Sequence, residues 1–298
     1  MLVTLGQDAN NLLRQELVSR ITGLREVDVE NHVNGRLIEF TNRQLKWVAK
    51  HVALDGCRVL EIGAGTGSAT AALGIAGAIV DGIDIDTRAL EIARIRCNLH
   101  ELPNINLLRM NAVDIDQLNY NYDLILYFAT YEHLTLTERK KSLSKAWEMV
   151  VPGGLVGFIE CPNRLWYYDV HTTFSNFYNW LPDELAIDYA KFYEREGFRT
   201  AFEEEARGGA GGATAELARW GRGASYHDIE VALGPIANIE ILEGSQDYMR
   251  SIDEDLDRWW SHSDEGKYRQ LLMKFAPNIP SAFFYPWMEV LMRKPVRL

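Results

Sequence analysis

The stretch that most constrains this chain is Arg58-Val-Leu-Glu-Ile62, followed at once by Gly63-Ala-Gly65-Thr-Gly67 and a small-residue run from Ser68 to Ile75. An apolar strand that turns through glycines into a helix is half of a β-α-β unit. Such units build parallel sheets with both faces covered. Glycines let the backbone approach a ligand closely, and the helix N-terminus offers free N–H groups to polar or negative atoms. The same loop can also be a tight structural turn that binds nothing, the lesser of the two readings.

The rhythm set by that unit continues. Ala78 to Asp84 reads as a second strand and Thr87 to Leu99 as a helix with Leu90, Ile92, Ile95 and Leu99 apolar. Ile105 to Met110 and Tyr122 to Phe128 read as the third and fourth strands. A helix over about Thr137 to Val150, the turn Pro152-Gly-Gly154 and a fifth strand, Leu155 to Glu160, follow. Strand character returns at Asn238 to Leu242 and at Phe283 to Met292. The expected fold is therefore α/β, a seven-stranded mostly parallel sheet flanked by helices. Apolar spacing over Leu12, Leu13, Leu17 and Ile21, and over Leu37 to Val52, predicts an N-terminal helical extension.

Four segments are expected: residues 1–54 as N-terminal helices, 55–160 as the α/β core, 161–235 as an inserted helical cap, and 236–298 as the last two strands with a helical insertion at 243–280. The cap segment holds a helix opening at Pro182, another from about Ser225, and a glycine run from Arg207 to Ala213 that reads as a lid hinge or an unstructured loop. A chain of 298 residues suits one elaborated domain or two small ones. With 47% apolar residues it can bury enough surface to fold.

Charge and cysteine content narrow the function. Thirty-one basic against 42 acidic residues leave a net charge of −11, which repels phosphate backbones and anionic lipid heads. No nucleic-acid partner is expected. Cys57, Cys97 and Cys161 stand far apart, with no CxxC or Cys/His cluster, so neither a zinc site nor a disulfide framework is read and no metal is expected. Neither a membrane span nor a signal peptide is visible, and a cytoplasmic location is expected.

The ligand follows from spacing. A dinucleotide loop is GxGxxG, and here its third glycine would fall on Ser68. Asp84, 21 residues after Gly63, ends the second strand, where a carboxylate can accept both hydroxyls of a ribose. That combination points to a nucleoside and away from a pyrophosphate-bearing cofactor.

The run Val59-Leu-Glu-Ile-Gly-Ala-Gly-Thr-Gly67, then Gly77-Ala-Ile-Val-Asp-Gly-Ile-Asp84, resembles motifs I and II of class I S-adenosylmethionine-dependent methyltransferases. Asn111-Ala-Val-Asp114, Tyr122-Asp-Leu-Ile-Leu126, Tyr131-Glu-His-Leu134 and Val151-Pro-Gly-Gly154 continue the series in order, and together they span residues 57–160. The family usually carries Asp where this chain has Asn111. The resemblance implies a Rossmann-like sheet, S-adenosyl-L-methionine as cofactor and S-adenosyl-L-homocysteine as product. It implies that Gly63, Ala64, Gly65 and Gly67 make room for the methionine portion and that Glu61 orients its ammonium. Asp84 would hold the ribose, Ile85 would pack on the adenine, and Asn111 and Ala112 would border its edge. Phe128 and Ala129 would lie near the sulfonium.

The acceptor side is read from position and residue type. A hydroxyl acceptor needs a base and a carboxylate acceptor does not. His133, just after the fourth strand, and His171, in the insertion, are the candidate catalytic residues, with local packing as the alternative role. Glu160, Arg164, Trp166 and Tyr168 are the candidate substrate residues. Seven of the 15 residues from Trp166 to Trp180 are aromatic, so this stretch is either a wall of the acceptor site or the small core of the cap. The chain is thus expected to methylate a small molecule, lipid-linked and anionic acceptors included. A catalytically silent nucleoside-binding scaffold and an NAD-dependent oxidoreductase are the alternatives.

Overall fold

In the computed structural model, which describes residues 4–21, 25–193, 195–205 and 210–296, seven strands form one sheet in the order β3-β2-β1-β4-β5-β7-β6. They are β1 Arg58–Ile62, β2 Ile79–Asp84, β3 Ile105–Arg109, β4 Tyr122–Phe128, β5 Val150–Pro162, β6 Glu240–Ile241 and β7 Trp287–Arg293. β1 pairs in parallel with β2 and with β4, and β2 with β3. β7 runs against β5: Gly153 N–H donates to Lys294 O and Asn163 N–H to Pro286 O, each at 2.9 Å, so the start of one strand meets the end of the other. The sheet is therefore mostly parallel with one antiparallel pair, as the alternating pattern predicts.

The chain divides into two compact units, one of Met1–Phe128, Lys145–Gly157 and Leu291–Leu298, the other of Ala129–Ser144 and Phe158–Val290. In the first unit, the parallel strands are apolar almost throughout because helices Ser68–Ile75 and Thr87–Leu99 pack on β2 and β3. Leu60, Val80, Ile83, Leu124 and Ile125 are all at most 1% exposed, and burying each contributes roughly 1.5–3 kcal/mol. Asp86 opens the second of these helices by accepting the Arg88 N–H at 2.8 Å. The expected N-terminal extension is there: Gln7–Arg20 packs on Thr87–Leu99, and Arg36–Asn42 packs on Ser68–Ile75. Between them Asn31–Gly35 is a π-helical turn.

The second unit is mainly helical, with helices at Asp183–Tyr189, Glu196–Glu205, Ala210–Arg219 and Tyr226–Leu233. Ser225 and Asp228 close the capping box that their spacing predicts, the Ser225 N–H donating to Asp228 at 2.8 Å. Three short helices, Ser245–Ile252, Glu254–His262 and Asp264–Phe275, fill the insertion before β7.

Three expectations need correction. Pro152-Gly-Gly154 is part of β5 and not a turn before it. A Cβ on Gly154 would stand 2.8 Å from Asp123 O, so its glycine serves a close approach to β4. β7 starts at Trp287 and not Phe283, because Pro286 has no N–H for the ladder and Ser281–Phe283 is a 3-10 turn. Of the glycine run, residues 207–209 lie outside the described residues, whereas Ala210 onward is helix and not loop.

Candidate functional site

In the first unit the glycine loop is shaped by backbone conformation and by one carboxylate. Gly63, Gly65 and Gly67 have φ of 87°, 50° and 79°, the left-handed region that favours glycine. Their glycines serve different ends. A Cβ on Gly67 would lie 2.8 Å from both Cα and Cβ of Ala93, so helix packing excludes it. A Cβ on Gly65 would meet nothing nearer than Gly63 O at 4.0 Å, so it would project into open space. The Gly65 N–H donates to Asp84 Oδ2 at 2.8 Å, and the Asp86 N–H donates to Asp84 Oδ1, also at 2.8 Å.

Glu61, on β1, is 1% exposed, and the Thr70 hydroxyl donates to its Oε2. Burial pushes its carboxyl up to about 8; the Thr70 hydrogen bond opposes that, and the charge of Asp84 adds to it. Ile85, just past the tip of β2, is 64% exposed. Ala112 is buried, while Asn111 is exposed and turns its Oδ1 onto its own loop, accepting the Val113 N–H at 3.1 Å. Phe128 is buried edge-on against Phe40, ring centres 5.2 Å apart.

Two residues that spacing alone does not reveal brace this loop. Arg96 is fully buried; its Nε donates to Thr66 O and its Nη1 to Val33 O, each at 2.9 Å, and its Nη2 donates to His32 O. His32 Nδ1 lies 3.2 Å from the Thr66 hydroxyl, and burial, with Arg36 and Arg96 nearby, brings its imidazole down to about 4. One signal was available: Arg96 falls on the buried face of its helix with Ile92, Ala93 and Cys97, where an arginine needs carbonyl partners.

In the second unit, Ala129 follows the tip of β4 and Glu160 lies within β5, with left-handed φ of 45° and 51°, and the Ala129 N–H donates to Ile159 O at 2.9 Å. For residues with a Cβ that conformation costs about 1–2 kcal/mol each. Just beyond, the 3-10 turn Tyr131–His133 brings Glu132 inside and points His133 at His171, ring centres 5.2 Å apart. Glu132 is 0% exposed, and its Oε1 is 3.7 Å from His133 Nε2. Burial pushes the Glu132 carboxyl up to about 8. Burial also lowers both imidazoles, His171 to about 4. The two histidines chosen from the sequence are thus neighbours. Their convergence with Glu132 was not legible, because 38 residues separate the two imidazoles.

The candidate substrate residues are not gathered in one place. Arg164 donates to Asn179 O at 3.2 Å and lies 3.6 Å from Asp183, bordering a cavity of about 430 Å3 with Arg139, Arg222 and Asp228. Trp166 is 2% exposed and packs on Trp260 and Tyr268, so it is a core side chain, with the half-buried Tyr168 beside the same cluster. The aromatic stretch is divided. Trp166 belongs to one core and Tyr178 to another with Phe198, while Phe174, Phe177 and Trp180 are about half exposed.

A mostly parallel sheet in the order 3-2-1-4-5-7-6, with a left-handed glycine loop after β1 and a carboxylate at the tip of β2, is a Rossmann-like methyltransferase fold. Residues 59–154 match the family model described as a methyltransferase domain, and the chain carries such a domain. Over 119 residues it is 29% identical to a ubiquinone biosynthesis O-methyltransferase of Pseudomonas savastanoi pv. phaseolicola, covering 39% of this chain and 49% of that protein. Over 101 residues it is 34% identical to an uncharacterized methyltransferase of Oceanobacillus iheyensis, covering 34% of this chain and 45% of that one. The chain thus spans about half the length of the curated relatives it matches. Among solved structures, a methyltransferase of Streptomyces caelestis is 23% identical with a TM-score of 0.38, covering 48% of this chain and 56% of that one.

Proposed function

We propose that this protein transfers the methyl group of S-adenosyl-L-methionine to an oxygen of a small-molecule acceptor. The observation that carries the cofactor reading is the Gly65–Asp84 hydrogen bond. It sets a loop with room at Gly65 beside a carboxylate that still has lone pairs for ribose hydroxyls. In this reading Gly63, Ala64, Gly65 and Gly67 line the methionine portion and Glu61 faces its ammonium. Ile85, Asn111 and Ala112 flank the adenine, with Phe128 and Ala129 near the sulfur. The cofactor, when bound, supplies a methyl group activated by a positively charged sulfur.

The residues of this chain then have to bind the acceptor, orient it and take up a hydroxyl proton. His133 and His171 are the catalytic residues we assign, because their lowered basicity keeps them unprotonated and able to accept at neutral pH. Arg164, which borders the cavity of about 430 Å3, is the side chain we assign to the acceptor, with Glu160 and Tyr168 as further candidates; Trp166 belongs to the core. Oxygen as the methylated atom is favoured by the relatives named for ubiquinone biosynthesis O-methylation. A net charge of −11 favours a small acceptor over a nucleic acid. No helix among the described residues is long and apolar enough to cross a membrane.

The test is transfer of an isotopic methyl label from the cofactor to a panel of hydroxylated small molecules, phenols first, with structured RNA in a parallel arm. Label on a hydroxyl of a small acceptor is expected. Label on RNA alone would contradict the reading.

A further inference from the structure

We propose that Glu132, His133 and His171 hold a divalent first-row transition-metal ion of the Zn2+ kind, through one carboxylate oxygen and two imidazole nitrogens. One such atom from each residue lies within 4.8 Å of the others, and no other group of this kind occurs among the described residues. Bonds of about 2.0–2.1 Å around a tetrahedral ion set ligand atoms about 3.3 Å apart. The 3.7 Å between His133 Nε2 and Glu132 Oε1 is already close to that spacing.

The carboxylate is the strongest sign of a ligand. Glu132 is 0% exposed, yet neither of its oxygens accepts a well-formed hydrogen bond among the described residues. A buried carboxylate without partners is costly unless something positive or protonated meets it. Arg139 is near, but its own charge is answered by Asp228 at 3.0 Å, and its guanidinium is spent on the carbonyls of Glu132, Leu134 and Gly223. Its own backbone N–H and the Cys161 thiol are the other polar contacts, Glu160 adds a like charge, and none of these brings a positive charge.

Both imidazoles are held as metal ligands usually are, by hydrogen bonds at the other ring nitrogen. His133 Nδ1 donates to Arg219 O at 2.7 Å, which leaves the Nε2 lone pair facing Glu132. His171 Nδ1 lies 3.2 Å from the Thr172 hydroxyl, whose proton goes to the carbonyls of Trp220 and Gly221, so the ring donates there. Asp169 fixes the His171 loop by accepting the N–H groups of His171, Thr172 and Thr173. Gly221, at φ 82°, clears the space: a Cβ there would come within 2.9 Å of Cε1 of both rings.

Two imidazoles favour Zn2+, Co2+ or Ni2+ over Mg2+ or Ca2+. Three protein ligands also leave a position open, as in catalytic sites. If the hydroxyl acceptor proposed above holds, that position suits its oxygen, whose acidity the ion would raise; with the ion bound the two imidazoles act as its ligands and the proton leaves to water, whereas without it they are the proton acceptors. Metal binding itself does not depend on that reading.

The experiment is calorimetric titration of the metal-stripped full chain with Zn2+, and visible absorption after addition of Co2+. One equivalent of Zn2+ is expected, with Co2+ giving the intense bands of a four- or five-coordinate ion. Glu132→Gln and His171→Ala should each weaken Zn2+ by about 100-fold or more. Gly221→Ala should also weaken it, with every donor retained, whereas His262→Ala should leave it unchanged. The absence of one-equivalent binding, a pale six-coordinate Co2+ spectrum, or equal affinity in the three variants would overturn the proposal. Should a variant fail to melt cooperatively, the wild-type titration and spectrum decide alone. Separate titration with S-adenosyl-L-homocysteine keeps the two readings apart, since either ligand can bind while the other fails.

Discussion

The N–H of Gly65 donates to Oδ2 of Asp84 at 2.8 Å, so the glycine loop after β1 and the acidic tip of β2 form one hydrogen-bonded element. Asp84 also takes the Asp86 N–H. Asp84→Ala should therefore act twice. Loss of a charged acceptor for two ribose hydroxyls should weaken S-adenosyl-L-homocysteine by about 1–3 kcal/mol. Two freed backbone amides should also lower the melting temperature of the ligand-free chain, while Asp84→Asn should restore part of the stability and little of the affinity. Calorimetry and thermal unfolding on the pair of variants check this; affinity within twofold of wild type in Asp84→Ala would refute the assignment.

Glu61 makes ligand-free stability depend on pH in a defined sense. Its carboxyl sits near 8 in the folded chain against an ordinary value of 4.5. The folded state therefore holds a proton that the unfolded state has lost between those limits, and stability falls as pH rises through that window. Glu61→Gln removes the effect. Its stability relative to wild type should grow from pH 5 to pH 8, by on the order of a few kcal/mol in all. The same variant should bind S-adenosyl-L-homocysteine more weakly, and chemical denaturation at four pH values with matched titrations separates the two effects.

Gly65 and Gly67 are both left-handed but should fail differently. Gly67→Ala forces a methyl group onto Ala93, and should destabilise by about 2–4 kcal/mol. Gly65→Ala carries only the conformational cost of about 1–2 kcal/mol. Its methyl enters the space assigned to the cofactor, so its larger effect should be on affinity. Urea unfolding and titration of both variants will show whether stability and binding part in this way.

The sequence was most informative where chemistry is local. A strand, a turn that favours glycine and the carboxylate on the next strand lie within the run from Arg58 to Asp84, and their order alone points to a nucleoside site. Asp84's hold on the loop is not visible there, because a strand-tip carboxylate reads the same with or without backbone partners. Contacts over long separations were lost altogether. Arg96 bonds to Val33 and Thr66, 63 and 30 residues away, and nothing in helix periodicity says where a buried guanidinium will find carbonyls. Aromatic density between Trp166 and Trp180 suggested one wall or one core, yet tertiary packing sends the rings to two cores and to the surface.

Arg139 offers a test within the second unit. Its side chain and that of Asp228 are 7% and 10% exposed, and the pair is 3.0 Å apart. Arg139→Met leaves Asp228 buried without its cation and three carbonyls without donors, and should destabilise by about 3–5 kcal/mol. Adding Asp228→Asn should recover part of the loss. A double variant no more stable than the single one would show that the carbonyl bonds, and not the ion pair, carry the effect.

The central claim is that the first unit binds an S-adenosyl nucleoside and not a dinucleotide, and calorimetric titration of the full chain tests it most directly. One S-adenosyl-L-homocysteine is expected to bind per chain, with affinity sharply reduced in Asp84→Ala and no saturable heat with NAD. Saturable binding of NAD, with none of S-adenosyl-L-homocysteine, would contradict it.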